Sequence, residues 1–276
     1  MTIDLPRTAM LGVGSMSGAV LDGLLAAGLD PATVTLTTRS EASAAAHRER
    51  GLHAVATDTD PDANRAAVRG AALVVLGVKP YGIADLLAEV APDLAPDAVV
   101  VSVAVGTTTA SMEALVPAGV RVVRALPNTP VGVGLGVTGI SAGASADDAA
   151  VALASSVFTA SGEVVAVPES QLDALSAVSG SGPAYVFLVV EQWQQAAEAL
   201  GFTPEQAATM VRGTMRGAVE LLGRSGREPA DLRRAVTSPK GTTERAVAVL
   251  QDADLSDTFL RASRAAIARA EEIAAS

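Results

Sequence analysis

"AMLGVGSMSGAVLDGLLAAG", residues 9–28, is the stretch from which the fold can be read. An apolar run ends at Leu11, Gly12 and Gly14 punctuate it, and an Ala/Val/Leu-rich helical pattern begins at once. Gly12 permits the tight turn between strand and helix. Gly14 lets backbone N–H groups reach an anion at the helix N-terminus, where the positive end of the helix dipole sits. Strand, glycine turn and helix in this order open a dinucleotide-binding α/β unit. The third position of the G-x-G-x-x-G/A pattern is Ser17, with Gly18 one place late. A small residue there still allows close packing of helix on strand. Gly12, Val13, Gly14, Ser15, Met16 and Ser17 are therefore the candidate pyrophosphate-binding turn.

Working outward, the alternation continues to about residue 165. Strand-like runs fall at 8–14, 33–38, 72–78, 98–105, 120–126, 136–143 and 163–168, with helical signal between most of them. Near-continuous Val/Ile/Leu strands alternating with helices predict a parallel sheet covered on both faces, a Rossmann-type domain. The second strand discriminates between cofactors. An NAD site places a carboxylate at its end for the ribose 2′-hydroxyl, but here the end reads Thr37-Thr38-Arg39-Ser40. A guanidinium fork suits a 2′-phosphate, so NADPH is expected, with NADH the lesser alternative. Glu41 is expected inside the next helix. Two later strand ends, "GVKP" at 77–80 and "SVAVGTT" at 102–108, are expected to line the nicotinamide half, because ligands of open α/β sheets bind at the carboxyl ends of strands.

Composition narrows the chemistry. The chain has 276 residues, of which 49% are hydrophobic and 3% aromatic, so a core of Ala, Val and Leu is expected. Acids outnumber bases 30 to 20, a net charge of −10, which disfavours nucleic acid as a partner. Zero cysteines exclude disulfides, thiolate nucleophiles and zinc–cysteine sites. With His47 and His53 the only histidines, no histidine triad or histidine metal cluster is available. No signal-peptide-like run precedes residue 8, and no 18-residue uncharged apolar window occurs, so a soluble cytoplasmic protein without membrane partners is expected.

From Pro168 the period changes to that of a helix. In "TPEQAATMVRGTMRGAVELLG", Val211, Met215, Val219 and Leu222 recur at helical spacing behind a Thr203 cap with Pro204 at the first helical position. The stretch 184–201 is apolar all round in its first turns, which predicts a helix buried on every side, its burial completed by a second copy of the chain. Two segments interrupt this half. "SGSGPAY" (179–185) and "SPKGTT" (238–243) each put hydroxyls and free N–H groups at an expected helix N-terminus, which points to an anion site. A P-loop reading of "KGTT" fails, because no G-x-x-x-x precedes it and it follows no strand.

"VVRALPNTPVGVGLGVTGIS", "SGSGPAYVF" and "VTSPKGTT", in this order after the glycine turn and "VKP", closely resemble pyrroline-5-carboxylate reductases over residues 8–272. The resemblance implies an N-terminal Rossmann domain (1–166) and an all-α C-terminal dimerisation and substrate domain (167–276). It implies an NAD(P)H-dependent oxidoreductase that makes L-proline from 1-pyrroline-5-carboxylate, the final step of proline biosynthesis. Carried over residue by residue, the 12–17 turn, Thr38, Arg39, Asn64, Gly77, Val78, Lys79, Pro80, Val103, Ala104, Val105 and Asn128 are cofactor positions. Glu169 matches a cofactor-proximal acid. Ser238, Gly241, Thr242 and Thr243 match the grip on the substrate carboxylate, with Thr243 also the catalytic candidate, hydrogen-bonding the ring nitrogen. No metal is implied.

The chain departs from the family pattern at Lys240, where glycine is usual, at Ser15 and Ser17, where Asn and Ala are usual, and at Ala235, where a polar residue is often found. If the loop needs a positive φ at 240, lysine costs about 1 kcal/mol there. The rival readings are another NADPH-dependent imine or 2-ketoacid-type reductase and a non-catalytic dinucleotide-binding regulator. β-Hydroxyacid dehydrogenases rely on a lysine in the long interdomain helix, and 184–200 contains none. The intact "GTT" speaks against a regulator that has lost catalysis.

Overall fold

The computed structural model describes residues 3–274. Eight strands form one sheet: β1 (Thr8–Leu11), β2 (Val34–Thr38), β3 (His53–Ala56), β4 (Leu73–Leu76), β5 (Val99–Ser102), β6 (Arg121–Pro127), β7 (Gly136–Ala142) and β8 (Gly162–Ala166). Their order is β3-β2-β1-β4-β5-β6-β7-β8. The chain winds outward from β1 through β2 to β3, then crosses back to place β4 on the other side of β1. That reversal opens a crevice outside the carboxyl ends of β1 and β4, where ligands of such sheets bind.

β1, β4 and β5 are buried at every position, as expected of strands covered on both faces. Alternate residues serve opposite layers. Met10, Leu36, Val75, Val101 and Val123 pack with Val20, Leu21 and Phe158 on one face. Ala9, Leu11, Val74, Leu76, Val100 and Val122 pack with Ile83, Leu87 and Met112 on the other.

The sheet differs from the sequence reading in two ways. β3 was not among the expected strands. It is only four residues long and carries two alanines and an exposed His53, so its composition gives little β signal; pairing with β2 makes it a strand. The sheet is also not wholly parallel, since β7 runs antiparallel to β6 and β8 is parallel to β7. Only residues 128–135 connect β6 to β7, and a parallel crossover needs a dozen or more. A short helix Thr129–Val133 and a left-handed Gly134 turn the chain back.

The second half is helical, with Gly182–Ala199, Pro204–Ser225, Pro229–Ala235, Thr242–Asp252 and Leu255–Ala274. Thr203 caps its helix as expected, accepting from the Gln206 amide at 3.2 Å, while Gln206 Oε1 accepts the Thr203 N–H at 3.0 Å. "SGSGPAY", however, is not a helix start. Leu172–Leu175 runs into a π-helical turn, Ser176–Gly180, and on into Gly182–Ala199. Pro183 has no N–H to give the Ser179 carbonyl four residues back. That carbonyl instead accepts the Asn128 side-chain amide at 2.9 Å. The N–H groups here follow directly on a helical turn, and that of Ser181 is already given to the Ser176 carbonyl at 2.9 Å, which speaks against an anion site.

By compactness the described chain divides into one unit that runs to Ser181 and takes in the chain again from Ala266, and a second that spans Gly182–Ala265. Within the second unit the apolar face expected to be buried is open in the single chain. Val186, Phe187, Leu188, Val189 and Trp193 are all exposed. The run Glu169–Ala199 is long and apolar enough, by length and composition alone, to cross a membrane, its best window having a mean hydropathy of 1.3.

Candidate active site

The glycine turn closes over the β1/β4 crevice. Gly12 has φ +68°, and a Cβ on it would lie 2.3 Å from Val78 Cγ1, so both its backbone and its surroundings demand glycine. Its N–H donates to Thr37 Oγ1 at 3.0 Å, and the Val13 N–H donates to the Thr37 carbonyl at 2.8 Å. Thr37, which the sequence reading passed over, thus pins the turn from the adjacent strand. Gly14 precedes the helix Ser15–Ala26, and its N–H donates to Ser17 Oγ at 3.2 Å. A Cβ on Gly14 would meet only the Gly12 carbonyl oxygen, at an ordinary 4.0 Å, and the Ser15 and Met16 amides follow in the first helical turn, where a phosphate binds.

Ser17 is buried, and its fit with Gly77 is tight: a Cβ on Gly77 would stand 2.3 Å from Ser17 Oγ and 2.9 Å from the Gly12 carbonyl. Gly77 also donates to the Leu11 carbonyl at 2.8 Å, which ties the two strand ends together. Val78 covers Gly12, Lys79 is exposed, and Pro80 opens a short helical turn, Pro80–Gly82.

At the end of β2, Thr38 is buried and donates to the Ser40 carbonyl at 3.0 Å. Arg39 is exposed, and its guanidinium has no ion-pair partner among the described residues. The helix Glu41–Glu49 takes Glu41 away from this strand tip, as expected. A free guanidinium with no competing carboxylate at the tip fits a 2′-phosphate. Asn64 is buried, donates to Glu89 Oε2 at 3.2 Å, and leaves its own Oδ1 without a partner. These features fit an NADP-type dinucleotide.

Beyond β5, the Val103 N–H donates to the Leu76 carbonyl at 3.2 Å, the Ala104 N–H to Ser102 Oγ at 3.2 Å, and Val105 is exposed. Asn128 is consumed internally: besides its bond to Ser179, its Oδ1 accepts the Val137 N–H at 2.8 Å. It braces the loop after β6 against β7.

Glu169 is half-buried and fully engaged. Its Oε1 accepts the Thr109 N–H at 2.7 Å and Arg124 Nη1 at 2.8 Å, and its Oε2 accepts the Thr109 hydroxyl at 2.5 Å. Burial alone would raise this carboxyl, but the bonds from Thr109 and Arg124 together outweigh it and hold it below the usual glutamate range. Arg124, in the middle of β6, is only 3% exposed. Removing Glu169 would leave the buried Arg124 guanidinium with only the more distant Asp173 carboxylate, at 4.0 Å, as counter-charge. The sequence reading missed Arg124, although an arginine inside "VRVVRAL" was a legible oddity in an apolar strand.

In the second unit, "SPKGTT" folds as a turn ahead of the helix Thr242–Asp252. The Gly241 N–H donates to the Ser238 carbonyl at 3.0 Å. Pro239 takes the second turn position and Lys240 the third with φ +61°, the pattern of a type II turn, which favours glycine there. The Lys240 N–H donates to Glu244 Oε2 at 2.9 Å, so an acid of the first helical turn steadies the strained residue. No side chain caps the helix at Gly241, and the amides of Thr242 and Thr243, both exposed, stand at its positive end. With the nearby Ser238 hydroxyl these group three hydrogen-bond donors at one helix N-terminus. Among the described residues no cluster of acids or histidines could hold a metal ion.

Over 268 residues the chain is 36% identical to the pyrroline-5-carboxylate reductase of Corynebacterium melassecola, a match spanning 96% of this chain and 97% of that one. The chain belongs to the pyrroline-5-carboxylate reductase family. It is also 37% identical to the pyrroline-5-carboxylate reductase of Pseudomonas aeruginosa, over 98% of this chain and 97% of that one. The solved pyrroline-5-carboxylate reductase of Coxiella burnetii superposes with a TM-score of 0.91 at 38% identity, covering 98% of each chain. Residues 169–273 match the family model described as pyrroline-5-carboxylate reductase dimerisation, and residues 7–106 match the one described as NADP oxidoreductase, coenzyme F420-dependent. The family assignment bears out the expected Rossmann-type and helical halves.

Proposed function

We propose that this protein reduces 1-pyrroline-5-carboxylate to L-proline, the final step of proline biosynthesis, with NADPH as the preferred reductant and NADH a poorer one. The observation that carries this reading is the pairing, in one family member, of a dinucleotide turn beside an unpaired Arg39 with a carboxylate cradle at 238–243. Residues 1–166 serve as the NADP-binding domain and 167–276 as the dimerisation and substrate domain. The change from strand to helix after β8 supports this division.

Bound NADPH supplies the hydride. The turn from Gly12 to Ser17 and the strand ends at Gly77, Val78, Lys79, Pro80, Val103, Ala104 and Val105 hold and orient the cofactor, and Arg39 reads its 2′-phosphate. Asn64 joins this set through the family resemblance, and its buried Oδ1 has no partner among the described residues. Asn128 and Glu169 act from behind this surface through their internal bonds.

The Ser238 hydroxyl and the Thr242 and Thr243 amides grip the substrate carboxylate, each charge-assisted bond contributing about 1.5–3 kcal/mol. The Thr243 hydroxyl meets the ring nitrogen. Once that nitrogen is protonated the imine carbon is strongly electrophilic, so orientation is the main requirement and no histidine or cysteine is needed.

The protein acts as a homodimer in the cytoplasm. The open apolar face of Gly182–Ala199 lies within the stretch that matches the dimerisation model, which supports self-association over a membrane as its cover. The deciding assay is NADPH oxidation by the purified protein with pyrroline-5-carboxylate; no turnover would refute the proposal. Sedimentation should reveal no stable, active monomer, and finding one would refute the dimer.

A further inference from the structure

We propose that Arg124, Glu169 and Thr109 form a latch that positions the 103–108 segment, so that Glu169 serves the reaction by holding the backbone in place and not by donating a proton. This rests on the functional reading above, in which 103–105 borders the nicotinamide.

The segment leaves β5 and reaches the short helix Thr109–Glu113. Its first end is fixed to the sheet by the 3.2 Å bond from the Val103 N–H to the Leu76 carbonyl. Between its ends Gly106 is left-handed, with φ +84°, a point at which the path can pivot. The far end is held by the carboxylate of Glu169, which takes both the N–H and the hydroxyl of Thr109.

Glu169 is held in turn by Arg124, whose position in the sheet core leaves its guanidinium little freedom. Every bond to Glu169 is a donation to a carboxylate oxygen, and three donors occupy its two oxygens. A protonated Glu169 would lose an acceptor site that the latch uses, which makes a proton-donor role costly. Asp173 Oδ1 lies 4.0 Å from Arg124 Nη2, and neither atom has a hydrogen-bond partner among the described residues. This second acid balances part of the Arg124 charge, so a neutral residue at 169 leaves the arginine with a nearby counter-charge.

The test uses Thr109→Val, Thr109→Ser, Glu169→Gln and the double variant Thr109→Val/Glu169→Gln in the full-length dimer. Thr109→Val deletes the hydroxyl bond at nearly constant shape. It should lower kcat about tenfold, leave the KM for pyrroline-5-carboxylate within about twofold, and be largely rescued by Thr109→Ser. The double variant should be no slower than the slower single variant, because both act on one element.

Hydrogen exchange reads the latch without substrate. Amides of 103–108 should exchange about tenfold faster in Thr109→Val, while those of 12–17 stay unchanged. Parental kcat with unchanged exchange, a serine variant as impaired as valine, or losses that multiply would each overturn the latch. If the parent protein does not reduce pyrroline-5-carboxylate, the proposed function fails, and the exchange measurement alone still decides the latch.

Discussion

Gly241→Ala isolates the substrate cradle from the rest of the molecule. At 241 the backbone φ is −82°, which any residue adopts, so the substitution acts through space alone. A Cβ there would stand 2.9 Å from the Ser238 carbonyl oxygen and 3.5 Å from Ser238 Cβ. The first of these is a backbone atom and cannot swing away, so the turn must open. Opening it breaks the 3.0 Å bond from the Gly241 N–H to Ser238, worth about 0.5–1.5 kcal/mol. Alanine is also a poorer N-cap than glycine, so the total loss of stability should be about 1–2 kcal/mol. The functional loss should be larger. Displacing Ser238 from the Thr242 and Thr243 amides forfeits at least one charge-assisted bond to the carboxylate, about 1.5–3 kcal/mol, or about 10- to 150-fold in kcat/KM. Steady-state NADPH oxidation at varied pyrroline-5-carboxylate measures this, with thermal unfolding run in parallel. NADPH affinity should be unchanged, because the 12–17 turn is untouched. A KM within about twofold of the parent, in a protein that has lost the expected stability, would refute the cradle.

Thr243→Ala should lower kcat/KM about tenfold or more, about 1.4 kcal/mol, with NADPH binding intact; an unchanged value removes the proposed partner of the ring nitrogen. Arg39→Ala should erode the ratio of kcat/KM for NADPH over NADH, and an identical ratio would count against its hold on the 2′-phosphate. Lys240→Gly relieves a left-handed lysine, worth about 1–2 kcal/mol, but adds about 0.5–1 kcal/mol of chain entropy to the unfolded state. Equilibrium unfolding should therefore change by no more than about 1.5 kcal/mol, and a large loss would mean that the lysine side chain makes a stabilising contact. Because Glu169 is held below the usual glutamate range, it contributes stability above that range and loses it as pH falls through its depressed value. The stability difference between the parent and Glu169→Gln should thus shrink as the pH falls from neutral through and below the usual glutamate range; a constant difference would mean that the charge on Glu169 contributes nothing.

Much of the cofactor half was legible in residue order because its chemistry is local. Gly12, Gly14 and Ser17 lie within one turn and one helix start, and Arg39 closes a strand whose largely β-branched run, Val34-Thr35-Leu36-Thr37-Thr38, marks its own end. The same holds for the 238–241 turn, where Pro239 sets the backbone and the following lysine is forced to the positive φ that the usual glycine would tolerate. These outcomes depend on neighbours in sequence, so composition and spacing suffice.

Tertiary structure decided what depends on distant partners. β3 is a strand because β2 offers it a ladder, not because "HAVA" prefers one. β7 runs antiparallel because its connection is too short to cross over, and strand propensity carries no direction. "SGSGPAY" looked like a helix start, yet Asn128, more than fifty residues earlier in the chain, supplies the donor that Pro183 withholds, and the helix continues through it. Arg124 reads as an anomaly until Glu169 and Asp173 are brought beside it. The sequence by itself determined the class of fold and the two turns proposed to bind anions. Folding alone decided which buried polar groups meet, because a buried charge or an unpaired carbonyl is satisfied by whatever the fold brings to it.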